Sequence, residues 1–259
     1  MKYLPEKLQK LDILGHAAYS LGSEGEPILF VAGPPGSAIM WGNVQRRLAP
    51  RSTVAVEFPL MTNGSFEEIT DRLREIVSEV GAVVVVSHGE AVPFVLSIEA
   101  SCVQLQVLTN GRLLGGLEAA QVSNLPKTII NSVTKLGIGP RFFSSSLGLR
   151  RAVKNPYVMD KAVVDSMIAP YFSTKEQRKG MLALFRLTSE ERTLRTKVPV
   201  HVIWGDSDRM HPKKALEAWA SNFMDVTIEY VPGGRWFYPV ECPWELADRL
   251  VHIVTDRSI

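Results

Sequence analysis

The stretch "AVVVVSHGEAVPF" (82–94) decides the fold of this 259-residue chain. Its run of valines is a continuous apolar segment, which is typical of a strand buried on both faces of a parallel sheet. "SHGEA" (87–91) follows at once and begins a helical pattern that we expect to continue to about Ala100. A buried strand that turns tightly into a helix is the building unit of a layered α/β domain.

The same alternation extends along the chain in both directions. A loosely alternating segment with a central glycine (10–22) predicts an antiparallel hairpin at the edge of the sheet. Apolar runs typical of buried strands occur at 27–33, 52–59, 103–111, 198–208 and 226–233, and helical patterns at 65–81, 212–223 and 243–254. The sequence therefore predicts an α/β fold with a mostly parallel central sheet and helices on both faces.

Residues 112–187 interrupt this alternation. They contain helical patterns, among them "MDKAVVDSMIAPYF" (159–172) and "STKEQRKGMLALFRL" (173–187), but no convincing strand. We predict a core domain made of residues 1–111 and 188–259, with 112–187 inserted as a helical cap. Ligands of open α/β sheets bind at the carboxyl ends of the strands, so the cap would close over the ligand.

Composition and charge exclude several classes of function. Hydrophobic residues make up 46% of the chain, and the net charge of +2 comes from scattered basic residues, which predicts no nucleic-acid partner. No apolar segment approaches the roughly 20 residues of a membrane span, and no signal-peptide pattern opens the chain, so we expect no membrane partner and a cytoplasmic location. Cys102 and Cys242 lack metal-ligand spacing and are expected to be reduced thiols. No Gly-x-Gly-x-x-Gly fingerprint occurs, so we expect no metal and no cofactor.

Three further segments carry a family resemblance. "FVAGPPGSAIMWGNVQRRLAP" (30–50) resembles a His-Gly-x-Pro-Gly oxyanion loop with its following tryptophan, here Trp41. "VIWGDSDRMHP" (202–212) resembles the strand and turn that present a catalytic acid, and "VPGGRWFYPVECPWELADRL" (231–250) the turn that presents a catalytic histidine. In this order around a helical cap, they resemble the α/β-hydrolase superfamily, specifically its capped branch of haloalkane dehalogenases, epoxide hydrolases and proline iminopeptidases.

The resemblance covers nearly the whole chain and implies a catalytic triad at the sheet edge. It places the acid at Asp208, with Asp206 as the nearby alternative, although both carboxylates could simply stabilise a turn. Where the family has Pro-Gly-x-Gly-His-Phe, this chain has residues 232–237, so Trp236 takes the histidine position. An indole N–H donates a hydrogen bond but accepts no proton, so Trp236 cannot be a general base.

The oxyanion loop also departs from the family pattern. The family's His-Gly becomes Ala32-Gly33, and the next residue, whose amide normally binds the oxyanion, is Pro34. Proline has no N–H to donate. Losing one such donor typically lowers the rate by about 10²–10³-fold. A shift of one residue that lets another amide serve remains open.

Two registers of the nucleophile elbow are compatible with the sequence. In the first, Ser87 takes the first glycine of the family's Gly-His-Ser-x-Gly, Gly89 the nucleophile and Ala91 the second glycine. In the second, Ser87 is the nucleophile and Val85 replaces the first glycine, where a β-branched residue disfavours close approach. We favour the first register, which leaves the elbow without a reactive side chain.

The predicted pocket suits an apolar or aromatic small molecule, with Trp41 and Trp236 as aromatic walls. His88, Asp208 and Glu90 are the candidate proton carriers, and Arg235 is a candidate anion stabiliser. His88 and His211 are the nearest substitutes for the missing base, although a structural histidine is the more common case.

Three hypotheses about function follow from these positions. The first is a non-hydrolytic enzyme of the cyclase, lyase or isomerase type that needs no cofactor. The second is a non-catalytic pseudo-hydrolase that binds a small molecule or a partner protein. The third is a serine hydrolase that uses Ser87. The sequence leaves the oligomeric state open.

Overall fold

An eight-stranded sheet forms the centre of the structure, a computed structural model that describes residues 8–113, 143, 145, 148–188, 192, 194, 196–220, 223 and 225–259. The strands are β1 (Gln9–Ile13), β2 (His16–Leu21), β3 (Glu24–Ala32), β4 (Arg51–Glu57), β5 (Val84–Gly89), β6 (Leu105–Gly111), β7 (Val200–Gly205) and β8 (Val226–Val231). Their order across the sheet is β1-β2-β4-β3-β5-β6-β7-β8. β1 pairs antiparallel with β2 and β2 with β4, whereas every other pair is parallel.

The central strands show the burial that is typical of parallel strands. Every residue of β5, β6 and β7 is buried, as expected for continuous apolar strands covered on both faces. β1 and β2 form the hairpin expected for residues 10–22, with exposed and half-buried positions at the sheet edge. The predicted α/β class with a mostly parallel sheet is therefore confirmed.

Helices cover the sheet on both sides. They are α1 (Gly42–Leu48), α2 (Phe66–Val80), α3 (Val92–Leu96), α4 (Lys161–Phe172), α5 (Lys175–Leu187), α6 (Lys213–Ala220), α7 (Tyr238–Glu241) and α8 (Pro243–Asp256), with 3₁₀ turns at Ala38–Trp41, Leu149–Ala152 and Pro156–Val158. The connection through α1 runs from β3 outward to β4, and the connection through α2 returns across β3 to β5. Because such crossovers are right-handed, α1 and α2 lie on opposite faces.

The helix termini show where sequence patterns succeed and where they fail. Ser65 and Glu68 form a capping box at the start of α2, and Gly81 ends it in the left-handed conformation, as predicted for residues 65–81. α3 ends at Leu96, although we expected a helix to about Ala100. The Gln106 side chain, from the neighbouring strand β6, terminates this short helix by donating hydrogen bonds to the carbonyl oxygens of Val95, in its last turn, and Ile98, just after it.

The predicted cap is described in part. α4 begins after its N-cap residue Asp160, and α5 begins after its N-cap residue Thr174. The side chain of each N-cap residue accepts a hydrogen bond from a backbone amide of its helix. The two helices pack against each other. Residues 114–142, 144, 146 and 147 lie outside the described residues, so the boundaries of the cap stay a prediction.

Backbone atoms meet directly where the central strands end. A β-carbon on Gly111, at the end of β6, would lie 2.5 Å from the Gly89 carbonyl oxygen. A β-carbon on Gly33, just after β3, would lie 2.2 Å from the amide nitrogen of Ala91. The Gly33 amide also donates a 2.9 Å hydrogen bond to the carbonyl oxygen of His88. Only glycine permits this approach, which holds the three strand ends at fixed relative positions.

We predict that Gly111→Ala lowers the free energy of unfolding by about 1–3 kcal/mol, because the new methyl group overlaps backbone atoms that cannot rotate away. Gly180→Ala, in α5, is the control, because its β-carbon would meet the movable end of the Leu60 side chain at 2.8 Å and a backbone atom only at 3.4 Å. Urea unfolding followed by circular dichroism measures both variants. Equal losses in the two variants would contradict the proposed backbone constraint.

Candidate active site at the carboxyl edge of the sheet

Gly89 is the last residue of β5, where the chain turns towards α3, and has a φ angle of 63°. A β-carbon built on Gly89 would have the Gly33 carbonyl oxygen at 3.2 Å and the Trp236 indole nitrogen at 3.9 Å. Ser87 lies two residues earlier, inside β5 and opposite Val31 of β3, and is fully buried. The structure thus brings Gly89 to the sharp strand-to-helix turn, the kind of backbone in which a nucleophile elbow holds its reactive residue.

His88 is a buried, neutral histidine next to this turn. Its Nδ1 lies 2.8 Å from the hydroxyl oxygen of Thr109, and that hydroxyl donates its own proton to the Ser87 carbonyl oxygen at 2.9 Å. The Thr109 oxygen therefore accepts from His88 Nδ1–H, which makes Nε2 the acceptor nitrogen. Complete burial, helped by the positive charge of His211, lowers the pKa of His88 to about 3.

Asp208 is a buried carboxylate that is paired with a histidine, His211. Its Oδ2 lies 3.0 Å from Nδ1 of His211 and accepts a 2.9 Å hydrogen bond from Asn110, while Oδ1 accepts one from the Met210 amide at 2.8 Å. Asp206, the alternative acid, is exposed and accepts a hydrogen bond from the Gly233 amide, as a turn-stabilising residue does.

The Asp208–His211 pair has the relation of the acid and histidine in a catalytic triad. Burial alone would raise the pKa of Asp208, but the charge of His211 and the hydrogen bonds to the carboxylate outweigh it and hold that pKa below its ordinary value. The ionised carboxylate accepts from His211 Nδ1–H, which makes Nε2 the basic nitrogen of the ring. His211 is 4% exposed, so the pair lies within the protein.

Asn110 orients the carboxylate of Asp208, and this role was not predicted from the sequence. It ends the predicted strand 103–111, where its side-chain oxygen accepts from the Gly205 amide at 2.6 Å and its amide group donates to the Gly205 carbonyl at 3.2 Å. Because it also binds Asp208, one side chain joins the ends of β6 and β7 and orients the carboxylate. A polar side chain ending an apolar strand was the available signal.

Trp236 lies between the Asp208–His211 pair and the turn at Gly89. Its ring centroid is 5.3 Å from that of His211, 6.4 Å from that of His88 and 4.8 Å from that of Phe237. The indole nitrogen is buried and has no hydrogen-bond partner among the described residues. An N–H donor thus stands at the position that the family resemblance assigns to a basic histidine.

Glu90 makes a two-pronged ion pair with Arg112. The carboxylate oxygens accept from Nε and Nη2 of Arg112 at 2.8 and 3.1 Å, and the two side chains are only 4% and 6% exposed. Arg112 also donates to the Thr188 carbonyl at 3.4 Å. Both Glu90 oxygens are therefore engaged, and this geometry argues against the proton-carrying role expected for Glu90.

Arg235 bonds backbone carbonyls instead of facing a ligand anion. Its Nη1 donates to the carbonyl oxygens of Val153 at 3.0 Å and Arg151 at 3.4 Å. The side chain thus holds the turn before Trp236 against a segment of the predicted cap. These contacts argue against the anion-stabilising role expected for Arg235.

The oxyanion-loop residues lie beside the turn. Ala32 ends β3 opposite His88 of β5, and Gly33 and Pro34 follow, all buried. Trp41 is fully buried, with its ring 5.1 Å from that of Phe30 and 6.2 Å from that of His88. The structure therefore brings the predicted loop to Gly89, with Pro34 as the residue that supplies no amide proton.

A third buried carboxyl group at this sheet edge, in addition to Asp208 and Glu90, was not predicted. Glu57 ends β4, and its Oε2 accepts a 3.0 Å hydrogen bond from the hydroxyl of Tyr171 in α4. Burial raises the pKa of Glu57 to about 7, although hydrogen bonds from the Ala38 amide and Tyr171 partly oppose that rise. A glutamate that ends an apolar strand was the sequence signal. The contact joins the core to the predicted cap.

Among the described residues, no group of three or more histidine, cysteine, aspartate or glutamate side chains is arranged to hold a metal ion. No described helix combines the length and apolar character needed to cross a membrane. Two concave regions lined by described residues lie away from Gly89. A 430 Å³ groove lies near Phe66 and Arg192, and a 200 Å³ groove lies near Arg51 and Val254.

Comparison with solved structures identifies the fold. The epoxide hydrolase CorEH superposes with a TM-score of 0.71 at 18% identity, covering 96% of this chain and 99% of its own. The Cif epoxide hydrolase from Acinetobacter nosocomialis gives 0.73 at 14% identity, with 95% and 88% covered. The haloalkane dehalogenase variant DbeA-M1 from Bradyrhizobium elkanii gives 0.69 at 15%, with 96% of each chain covered. The chain therefore has the α/β-hydrolase fold.

No protein-family model matches this sequence, and no curated protein matches it. At these identities, the structural likeness establishes the fold and leaves the activity to be argued from the site.

We predict that Arg112→Met lowers the free energy of unfolding by about 3–5 kcal/mol, because it leaves the buried Glu90 charge unpaired. The double variant Glu90→Leu/Arg112→Met should lose less than the Arg112→Met single variant, because neither charge remains. Urea unfolding of the wild type, both single variants and the double variant gives the coupling. Strict additivity would contradict a structural ion pair.

Acid should destabilise the wild type partly through His88. Its pKa in the folded protein, about 3, lies below the ordinary value of 6.5, so between these pH values the unfolded chain binds a proton that the folded protein excludes. This contribution to stability is present above pH 6.5 and is lost as the pH falls towards 3. We expect His88→Gln to weaken the fall in unfolding free energy between pH 7 and 4 relative to wild type, measured by urea titration. The exposed His252→Gln serves as control, and an unchanged slope in His88→Gln would exclude this contribution.

Proposed function

We propose that this chain is a non-hydrolytic enzyme of the cyclase, lyase or isomerase type, acting on an apolar or aromatic small molecule without a covalent intermediate. One observation carries the proposal. Gly89 stands at the turn with a φ of 63°, and the side-chain atom of the described residues that lies nearest to its absent β-carbon is the Trp236 indole nitrogen, at 3.9 Å.

Covalent hydrolysis needs groups that these positions do not supply. A nucleophile at the elbow requires a side-chain oxygen or sulfur, which glycine lacks. The base beside it must accept a proton, whereas the Trp236 indole can only donate a hydrogen bond. Pro34 has no amide proton for an oxyanion. Together, the three positions support a site from which the hydrolytic machinery is missing.

Proton transfer is the chemistry that the remaining groups support. His211 is the residue we assign as the proton carrier through Nε2, with Asp208 holding its Nδ1–H. General acid–base catalysis of this kind contributes roughly 10²–10⁴-fold to a rate. His88 stays neutral near pH 7 and accepts a hydrogen bond rather than supplying a proton.

The lining of the site supports an apolar or aromatic substrate. Trp236, Phe237 and Trp41 surround the neutral ring of His88. The nearby charges of Glu90 and Arg112 neutralise each other. Binding would rest on ring contacts and a few directional hydrogen bonds, as in most small-molecule pockets. We propose no cofactor and no metal for this step.

A non-catalytic pseudo-hydrolase is the alternative. Asp208 accepts hydrogen bonds from Asn110 and from the Met210 amide in addition to His211, which is the pattern of a carboxylate that stabilises a turn. On that interpretation the Asp208–His211 pair is structural, and the site binds a molecule without converting it. A hydrolase that uses Ser87 receives little support from a side chain fully buried inside β5.

A serine-directed fluorophosphonate probe tests the non-hydrolytic assignment. The wild type should remain unlabelled, since Gly89 offers no hydroxyl group and Ser87 is buried. Intact-protein mass spectrometry detects the adduct. Labelling of the wild type that disappears in Ser87→Ala would overturn the assignment.

Turnover of small molecules tests the role of the Asp208–His211 pair. The wild type, Asp208→Asn and His211→Gln are incubated with an apolar small-molecule fraction from cells and with compounds that co-purify. We expect the wild type to convert a compound that the variants convert roughly 10²–10⁴-fold more slowly, with affinity nearly unchanged.

The exposed His252→Gln is the matched control and should behave as wild type. Equal conversion by the wild type and the two site variants would remove the pair from the mechanism. A bound compound that none of the proteins converts would favour the pseudo-hydrolase.

A further inference from the structure

We propose that Glu57 and Tyr171 form a pH-sensitive switch, which holds the last turn of α4 on the core at low pH and releases it as the pH rises. The switch controls access to the carboxyl edge of the sheet. It is independent of the proposed function, because it acts in the same way at a site that converts a molecule and at a site that only binds one.

The Glu57 carboxyl group is bound by the two elements that it joins. Its Oε2 accepts a 3.0 Å hydrogen bond from the Tyr171 hydroxyl in α4, and the carboxyl group also accepts from the amide of Ala38, which begins a 3₁₀ turn of the core. The Phe58 amide donates to the Tyr171 hydroxyl. Glu57 is 8% exposed and Tyr171 1%, so water is excluded from this contact while α4 lies on the core.

The chain is attached to the core before α4 begins. The Phe237 amide donates to the Ala152 carbonyl at 2.9 Å, and the amides of Lys154 and Asn155 donate to the Glu241 carboxylate at 2.9 and 2.5 Å. These hydrogen bonds keep the start of α4 in place. The contact at the other end of the helix can therefore open without displacing the whole helix.

The last turn of α4 is held weakly by its own backbone. Pro170 lies inside the helix and has no amide proton, so it donates no helical hydrogen bond to the Ser166 carbonyl. Among the described residues, the next polar contact with the core along the chain is a long one, from the Thr62 hydroxyl to the Glu176 carbonyl at 3.4 Å. The Glu57–Tyr171 hydrogen bond is therefore the main polar attachment of this end of α4.

A charge on Glu57 would be buried without a compensating cation from the described residues. The titratable groups that face it are two phenols, Tyr171 of α4 and Tyr19 of β2, and the 3₁₀ turn contributes the Ala38 amide. Burial and the Glu57 charge raise the pKa of both phenols, so both stay neutral at physiological pH. Burying an unpaired carboxylate is unfavourable, and movement of the last turn of α4 brings that carboxylate into water.

The direction of the pH effect follows from linkage. Burial raises the pKa of Glu57 to about 7, whereas a carboxyl group in water has the ordinary value of 4.5. Opening of the last turn therefore releases the Glu57 proton between these pH values. The closed form is fully favoured below pH 4.5, and this preference is lost as the pH rises through 7. The equilibrium constant for opening should rise by roughly 10²-fold between pH 5 and pH 8.

The position of α4 connects this equilibrium to the candidate active site. α4 packs against the 3₁₀ turn Ala38–Trp41, and the Trp41 ring lies 6.2 Å from the ring of His88, next to Gly89. Opening of the last turn of α4 therefore uncovers the side of the site that this 3₁₀ turn forms. Small molecules should enter and leave the site faster above pH 7 than in acid.

Backbone hydrogen exchange of the full chain, followed by NMR, tests the switch. After correction for the intrinsic effect of pH on exchange, protection of the Tyr171 and Phe172 amides should fall by roughly 10²-fold between pH 5 and pH 8. Glu57→Gln keeps an oxygen acceptor for Tyr171 but cannot ionise, so its protection should change by less than about threefold. Glu79→Gln, at an exposed glutamate in α2, is the matched control and should keep the wild-type fall.

A second variant and a urea series separate the switch from general stability. Tyr171→Phe removes the hydroxyl group and keeps the ring, so protection of the Phe172 amide should fall by roughly three- to tenfold already at pH 5. Low concentrations of urea accelerate exchange through unfolding of the whole chain but not through a local opening. The wild-type fall in protection should therefore be insensitive to urea.

Three results would overturn the switch. They are wild-type protection that does not change with pH or changes only through urea-dependent unfolding, a fall that persists in Glu57→Gln, and full protection in Tyr171→Phe at pH 5. If Glu57→Gln does not fold, ¹³C NMR titration of the wild-type glutamate carboxyl carbons decides. Titration of Glu57 near 7, accompanied by a shift of the Tyr171 amide, supports the switch, and titration near 4.5 excludes it.

Discussion

The ends of three parallel strands meet through backbone atoms, and the positions of the other groups in the site depend on that contact. The Gly33 amide binds the His88 carbonyl at 2.9 Å, and a side chain on Gly111 would collide with the Gly89 backbone. The sharp turn at Gly89 is thus held by its neighbours rather than by a reactive side chain. Contacts between backbone atoms therefore hold this turn at a position where glycine has no side chain that could do so.

Buried polar groups around this contact fall into two kinds. Glu90 and Arg112 satisfy each other, and their removal from water is compensated within the protein. Trp236 and His88 each keep one ring nitrogen unsatisfied by the described residues. Because an unpaired buried polar group is costly, the first kind avoids a loss of stability that the second kind causes, and the buried indole nitrogen of Trp41 also belongs to the second kind. The predicted pocket residues lie close together, but their contacts do not match all the roles that we expected from the sequence.

A feature could be predicted from the sequence when the residues that determine it are close together along the chain. Periodicity and capping residues are local, so the hairpin at 10–22 and the helix at 65–81 could be predicted. Motif spacing likewise brought Trp236 and Asp208 to one site. The end of α3 could not be predicted, because the Gln106 side chain that terminates it comes from the next strand. The Glu57–Tyr171 contact spans 114 positions and joins the core to the predicted cap, so no local pattern reports it.

Of the three buried carboxyl groups at this sheet edge, Glu57 and Asp208 have pKa values shifted in opposite directions. The strand order across this part of the sheet is β4-β3-β5-β6-β7. Glu57, at the end of β4, therefore lies two strands from Gly89 on one side, and the end of β7, which precedes Asp208, lies two strands from Gly89 on the other side. Each separation is about 10 Å. Burial raises the pKa of Glu57 to about 7, whereas His211 holds the pKa of Asp208 below its ordinary value. At neutral pH one carboxyl group can therefore supply a proton while the other stays ionised beside a histidine. Four strand spacings place the two strand ends about 20 Å apart, so the opposite pKa shifts reflect two separate environments along the sheet edge rather than one shared acid–base pair.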